Sequence, residues 1–223
     1  MFPHESATEL IGGFRGATGD PIHVIRWSTT DSRGDVVLLH GYGDYSSRYR
    51  DFARELNSAG YDVYGIDFAG FGRSGGDRGL IADFENLRSD VAVLVRRIAA
   101  SRPARPIHTM GHSIGGVIAV SMLSMHGCRE VITTGIGLSP LIAVSASPPK
   151  AVMPAVHTIA ALVPTFPTTS VVPEQISNDP QTIADFVADP FIFHGRVPLR
   201  AGVQMVAAAE ALLAGPPSIT RAA

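Results

Sequence analysis

The sequence predicts an α/β fold, a mainly parallel sheet with helices on both of its faces. Short apolar runs rich in β-branched residues alternate with segments whose apolar residues recur every three or four positions. A Gly-His-Ser-Ile-Gly pentapeptide falls at one of the strand-to-helix junctions. From Pro140 onward the chain turns Pro-rich and apolar with no clear further strand, which predicts an inserted helical cap.

Taken in order, DVVLLHG (Asp35 to Gly41) and YDVYGIDF (Tyr61 to Phe68) are short apolar runs bounded by Gly and Asp, and both predict buried strands. Between them Arg50 to Ser58 predicts an amphipathic helix, with Phe52 and Leu56 four apart and Gly60 as the stop. After a Gly-rich turn, Asp83 can cap a helix in which Phe84, Leu87, Val91, Leu94, Val95 and Ile98 form one apolar face. PIHTMGHS (Pro106 to Ser113) predicts a strand, GGVIAVSMLSM a helix ending near Gly127, and VITTGIGLS (Val131 to Ser139) another strand. That order gives βαβ units, hence parallel pairing. Short helical pieces follow, PQTIADFVADP (Pro180 to Pro190) among them, then a helix over Gly202 to Leu213. The expected organisation is a core over residues 1–139, a cap over 140–200 and a helix returning toward the core over 201–223.

Composition removes several classes of function. With 45% hydrophobic and 17% charged residues the chain belongs among globular proteins. A net charge of -2, with no basic stripe, argues against nucleic-acid binding. Cys128 is the only cysteine, so neither an intrachain disulfide nor a cysteine metal cluster can form. The histidines show no paired ligand spacing, and neither metal nor cofactor is expected. The N-terminus carries an acidic residue in place of a basic region and apolar run, so a cytoplasmic location is expected. Ala151 to Pro173 is uncharged and nominally long enough for a bilayer, but Pro154, Pro164 and Pro167 break it.

The chemistry concentrates in three segments. In GHSIG (Gly111 to Gly115) a tight strand-to-helix turn would project the Ser113 hydroxyl above the sheet, with Gly111 and Gly115 permitting the close approach. The helix opening there aims the Ile114 amide at any oxyanion formed. In HGYGDYSSRY (His40 to Tyr49), Gly41 and Gly43 allow an exposed Tyr42 amide, a second oxyanion donor, while His40 reads as a loop-holding residue. DFAGFGRSGG (Asp67 to Gly76) lacks the Gly and Lys spacing of a phosphate loop and reads as a structural turn.

Together, in this order, these motifs resemble the monoacylglycerol lipase group of the α/β-hydrolases over Val24 to Leu213. The resemblance implies Ser113 as the nucleophile, Tyr42 and Ile114 as oxyanion donors, and monoacylglycerols or similar single-chain lipid esters as substrates. It makes Ile176 to Pro198 the distal part of a cap that shapes an acyl tunnel. It also makes Ala151 to Pro173 a lid, implying contact with a lipid surface and a peripheral association with membranes. Two departures stand out: Asp44 occupies a position where the family has glutamate, and Phe68 to Phe71 replace a more polar turn.

By the same resemblance the acid and base lie on loops after two further strands that would follow PSITRAA. The last strands of the fold, the triad Asp and the triad His are thus expected to be missing, with turnover impaired and Val131 to Ser139 left as an edge open to self-association. Within the sequence, Asp179, Asp185 or Asp189 followed by His194 keeps the order Ser, acid, His. A non-catalytic lipid-binding or interaction fragment stays open beside the lipase reading, as do lysophospholipase, carboxylesterase and aminopeptidase activities.

Overall fold

The computed structural model describes residues 8–142, 150–170, 172 and 176–215. The N-terminal residues before Thr8, Pro173 at the end of the expected lid, and PSITRAA lie outside them.

Six strands form one sheet in the order β1-β2-β4-β3-β5-β6. Strands β3 (Gly34–Leu39), β4 (Tyr61–Ile66), β5 (Ile107–His112) and β6 (Ile132–Leu138) run parallel, as the βαβ pattern requires. The other two, β1 (Thr8–Arg15) and β2 (Pro21–Ser28), pair antiparallel with each other, and β2 continues antiparallel onto β4. Sequence patterning does not single out this pair. Gly12 and Gly13 interrupt β1, and the buried residues of β2 fall at Ile22, Ile25 and Trp27, which is not a strict alternation.

The side chains of β3 alternate between two cores. Val36 and Leu38 pack with Ile25, Trp27, Val63 and with Ala53 of α1 (Arg50–Ser58). Val37 and Leu39 face α2 (Phe84–Ser101), α3 (Ile114–Ser121) and α6 (Leu199–Leu213), among Val91, Val95, Ile118 and Ala201. Helices therefore cover both faces. Helix α1 has its expected bounds, and Asn57 near its end donates to the carbonyls of Trp27 (3.0 Å) and Tyr61 (2.7 Å). The carboxylate of Asp83 caps α2 by accepting from Glu85 N at 2.9 Å.

Helix α3 stops earlier than its sequence suggests, passing into a 3₁₀ turn over Met122–Ser124. Hydroxyls of Ser121 and Ser124 bond back to the carbonyls of Ile118 (2.9 Å) and Ser121 (2.9 Å), a local alternative to helix continuation.

Beyond β6 come α4 (Met153–Leu162) and α5 (Pro180–Ala188), and here the expectation of no further strand is corrected. Strands β7 (Pro167–Ser170) and β8 (Arg196–Pro198) pair antiparallel in a small second sheet. Each is too short to display a period, and their pairing spans segments distant in sequence. It is held by the Thr168 hydroxyl on Val197 O (2.7 Å) and by Leu199 N on Phe166 O (2.8 Å). Because β8 runs straight into α6, that helix begins at Leu199, three residues before its expected start. No described helix is long and apolar enough to cross a membrane.

Candidate active site

Strand β5 ends at His112 and α3 begins at Ile114, leaving Ser113 alone at the bend with φ 53° and ψ -117°. This is left-handed backbone at a non-glycine residue, a conformation that persists only where the surroundings enforce it. Here they do. Ser113 N donates to Leu138 O (3.1 Å), and Ser113 O accepts from the amides of Gly116 (3.0 Å), Val117 (3.2 Å) and Leu141 (3.2 Å). A Cβ at Gly111 would fall on the Gly115 carbonyl, and one at Gly115 on the carbonyls of Leu39 and His40. Only glycines let helix, elbow and the end of β3 approach this closely.

The loop after β3 meets the elbow directly. A Cβ built on Gly41 would lie 3.1 Å from His112 Nδ1 and 3.5 Å from Ser113 Cβ, so the loop bearing Tyr42 abuts the serine. Neither Tyr42 N nor Ile114 N donates to a described acceptor. The structure thus brings Ser113, Tyr42 and Ile114 together.

His40 holds this loop from beneath. It is fully buried, its Nδ1 lies 2.7 Å from Gly41 O, and its Nε2 accepts from Phe68 N at 3.0 Å. Those partners fix one tautomer, Nδ1 protonated and Nε2 bare. Burial holds its pKa below the ordinary imidazole value, with Asp67 and Asp44 partly opposing. The Gly41 carbonyl and the Tyr42 N–H belong to one peptide plane, so the histidine orients the candidate oxyanion donor without touching substrate.

The Tyr42 phenol donates to Gly79 O at 2.7 Å and its ring packs on Phe71 and Phe193. Asp44, where the resembling family has glutamate, ties the loop together: its carboxylate accepts from Tyr45 N (2.8 Å), the Tyr49 phenol (3.0 Å) and Arg48 (3.1 Å). The Gly-rich turn after β4 is built around buried Asp67. Its carboxylate accepts from Ser46 N (2.7 Å), the Ser46 hydroxyl (2.5 Å) and Arg73 N (2.9 Å). Sequence reasoning passed over Asp67. Its position between a strand and a Gly-rich turn was the available signal, because a turn that exposes many amides needs an acceptor.

The internal acid–base candidates are occupied elsewhere. Asp179 caps α5 on Thr182 N (2.9 Å), Asp185 accepts from Gln181 (2.7 Å), and Asp189 accepts from the Tyr45 phenol (2.7 Å) and Phe191 N (2.9 Å). His194 sets Nε2 3.0 Å from the backbone carbonyl of Asp189 and stacks edge-on against Phe186. Among the described residues, no hydrogen bond reaches the Ser113 hydroxyl. The arrangement can present a half-buried hydroxyl and two amides without described acceptors to an acyl carbonyl, the geometry that stabilises a tetrahedral oxyanion.

Residues 30–222 match the serine aminopeptidase S33 family of hydrolases. The chain is 31% identical over 206 residues to a monoacylglycerol lipase of Mycolicibacterium smegmatis, an alignment covering 86% of this chain and 69% of that protein. Its structure is similar to the monoacylglycerol lipase of Paleococcus ferrophilus, with a TM-score of 0.71 at 25% identity over 85% of this chain and 70% of the other. It also shares its fold with a soluble variant of monoglyceride lipase from Saccharomyces cerevisiae, with a TM-score of 0.78 at 20% identity over 97% and 73% of the two chains.

Proposed function

The chain belongs to the serine aminopeptidase S33 family and is a monoacylglycerol lipase-like α/β-hydrolase, and from that premise we propose that it acts on monoacylglycerols or similar single-chain lipid esters through Ser113. The observation that carries the reading is the isolated left-handed Ser113 between β5 and α3, abutted by the loop of Tyr42. In this reading the Ser113 oxygen attacks the ester carbonyl while its proton passes to a base. The amides of Tyr42 and Ile114 hold the oxyanion, the alcohol leaves with a proton, and water releases the acid from the acyl-serine. The similarity to a lipase of known name supports the substrate class.

A serine hydroxyl without an adjacent base is a weak nucleophile; among the described residues no histidine hydrogen-bonds the Ser113 hydroxyl, and those at positions 40 and 194 are committed to other partners. The reading therefore includes slow turnover by these residues alone. The same observation favours a second reading, a lipid-binding protein that keeps the pocket without the chemistry. Monoacylglycerol hydrolysis and fluorophosphonate labelling, measured beside Ser113→Ala, separate the two. Labelling and hydrolysis that vanish in the variant support catalysis, and equal behaviour of both proteins leaves only binding.

We assign the described residues up to 139 to the core, those from 140 to 198 to the cap, and α6 to a helix returning to the core. Val152, Ile159, Leu162 and Phe166 are exposed on and beside α4, which supports contact of the cap with a lipid surface. Strand β6 pairs only with β5 among the described residues, and that open edge supports self-association.

A further inference from the structure

Three segments far apart in sequence interlock beside the elbow: the oxyanion loop 41–45, the turn 70–79 and the stretch 186–195 that returns from α5. The link between the first and third is a backbone hydrogen bond, Phe193 N to Gly43 O at 2.8 Å. Gly43 has φ 81°, so this carbonyl points where a right-handed residue could not place it. The Phe193 ring meets Tyr42 edge-on at 6.1 Å and Phe71 at 6.5 Å, and it lies so close to Gly79 and Gly195 that a Cβ on either would strike it. The Tyr42 phenol donates to that same Gly79, so ring and phenol share one seat.

Neighbouring contacts fasten the stretch to the core. The Tyr45 phenol donates to Asp189 Oδ2 at 2.7 Å, and burial followed by Asp189 raises that phenol to about 12, keeping it a donor. Arg78 donates to Phe191 O at 3.0 Å, and the Arg73 guanidinium lies 4.1 Å over the Phe191 ring. Ile192 is buried against Tyr45 and Phe186.

We propose that Phe193 is a positioning residue for the oxyanion hole: its backbone N–H and ring brace Gly41–Asp44 so that the Tyr42 amide faces Ser113 only while the stretch returning from the cap is seated. The proposal rests on the reading of Ser113 as nucleophile. It couples the cap to the chemistry, because lifting residues 191–195 removes the partner of Gly43 O and one wall of Tyr42 together. His40 would still hold the Gly41 carbonyl, but the Gly41–Tyr42 peptide would then be fixed from that end alone, without Gly43 and the Tyr42 ring to keep its N–H toward Ser113.

The test compares wild type with Phe193→Ala and Phe193→Tyr, using a short-chain p-nitrophenyl ester, fluorophosphonate labelling of Ser113 and amide hydrogen exchange. A short ester makes little use of the cap for binding. Phe193→Ala is expected to lower kcat and the labelling rate at least tenfold with KM within twofold, and to speed exchange in residues 42–45. Phe193→Tyr keeps the ring but adds a hydroxyl at the edge wedged against Gly79 and Gly195, so it is expected to label faster than Phe193→Ala yet slower than wild type. A folded Phe193→Ala protein with wild-type labelling and exchange overturns the proposal. Should Phe193→Ala not fold, exchange of the wild-type protein in rising urea decides, since amides of 42–45 and 193–195 must open together and separate openings overturn the brace. Wild-type protein that never labels refutes the nucleophile reading instead, while the shared opening still tests the brace.

Discussion

Replacing His40 by alanine tests whether the oxyanion loop is aligned from below. The substitution removes the acceptor of Phe68 N and the donor to Gly41 O, both buried. An orphaned buried Phe68 N–H costs about 1–3 kcal/mol, whereas Gly41 O keeps the Asp44 amide at 3.2 Å and loses less. Removing a ring packed 4.4 Å from Phe68 and 5.9 Å from Phe71 leaves a cavity, bringing the expected loss to about 3–5 kcal/mol. That is a large share of the 5–15 kcal/mol typical of a domain. Activity should fall further than stability alone explains, by about 10² to 10³ if the Tyr42 amide is lost as a donor. Urea titration measures the first quantity. Fluorophosphonate labelling in the pre-transition region measures the second. A variant destabilised as expected but labelled at the wild-type rate would show that the Gly41–Tyr42 peptide needs no such anchor, and unchanged stability would refute the hydrogen-bond accounting itself.

Because burial lowers the His40 pKa, the fold excludes a proton that the unfolded chain accepts below about 6.5. Its contribution is complete above that pH and is lost as pH falls toward the folded value, so the stability gap between wild type and His40→Gln should narrow on acidification. Asp35 acts with the opposite sign: burial raises it to about 6, against the opposing charge of Arg105. The folded state holds that proton between about pH 4 and 6, so Asp35→Asn should gain stability relative to wild type between pH 4.5 and 7.5, read by urea titration at both. Ser113→Gly should be more stable than Ser113→Ala by about 1–3 kcal/mol, since glycine relieves the left-handed backbone, and equal melting profiles would refute an enforced elbow. Gly115→Ala should give little folded protein in a solubility and circular-dichroism comparison, because its methyl would fall on backbone carbonyls that cannot yield. Leu162→Ser with Phe166→Ser should weaken sedimentation with anionic vesicles, and unchanged binding would remove the cap from the lipid contact.

Strands β3, β4 and β5 and helix α2 were legible because each buries a continuous run or a periodic stripe, a signal local to its own residues; β6 and α1 form where expected, but β6 buries only Ile132, and α1 buries Ala53 and Asn57 while Phe52 of its expected stripe is exposed. The elbow was legible too. A serine between two glycines at a strand-to-helix junction has few ways to fold, and small residues there record a close approach in the sequence itself. Strands β1, β2, β7 and β8 were not legible, since interrupted alternation or a length of three or four residues leaves no period to read.

The sequence by itself determined the fold class, the place of Ser113 and the two loops that could carry its oxyanion donors, because those are properties of short windows. Tertiary structure alone decided that His40 accepts from Phe68 N, that Asp67 gathers Ser46 into the Gly-rich turn, that Asp189 is taken by the Tyr45 phenol, and that Phe193 lies against Tyr42. The physical reason is separation along the chain. A hydrogen bond between residues 150 positions apart leaves no mark on the spacing of either neighbourhood, and only the packing of sheet against cap brings its donor and acceptor within reach.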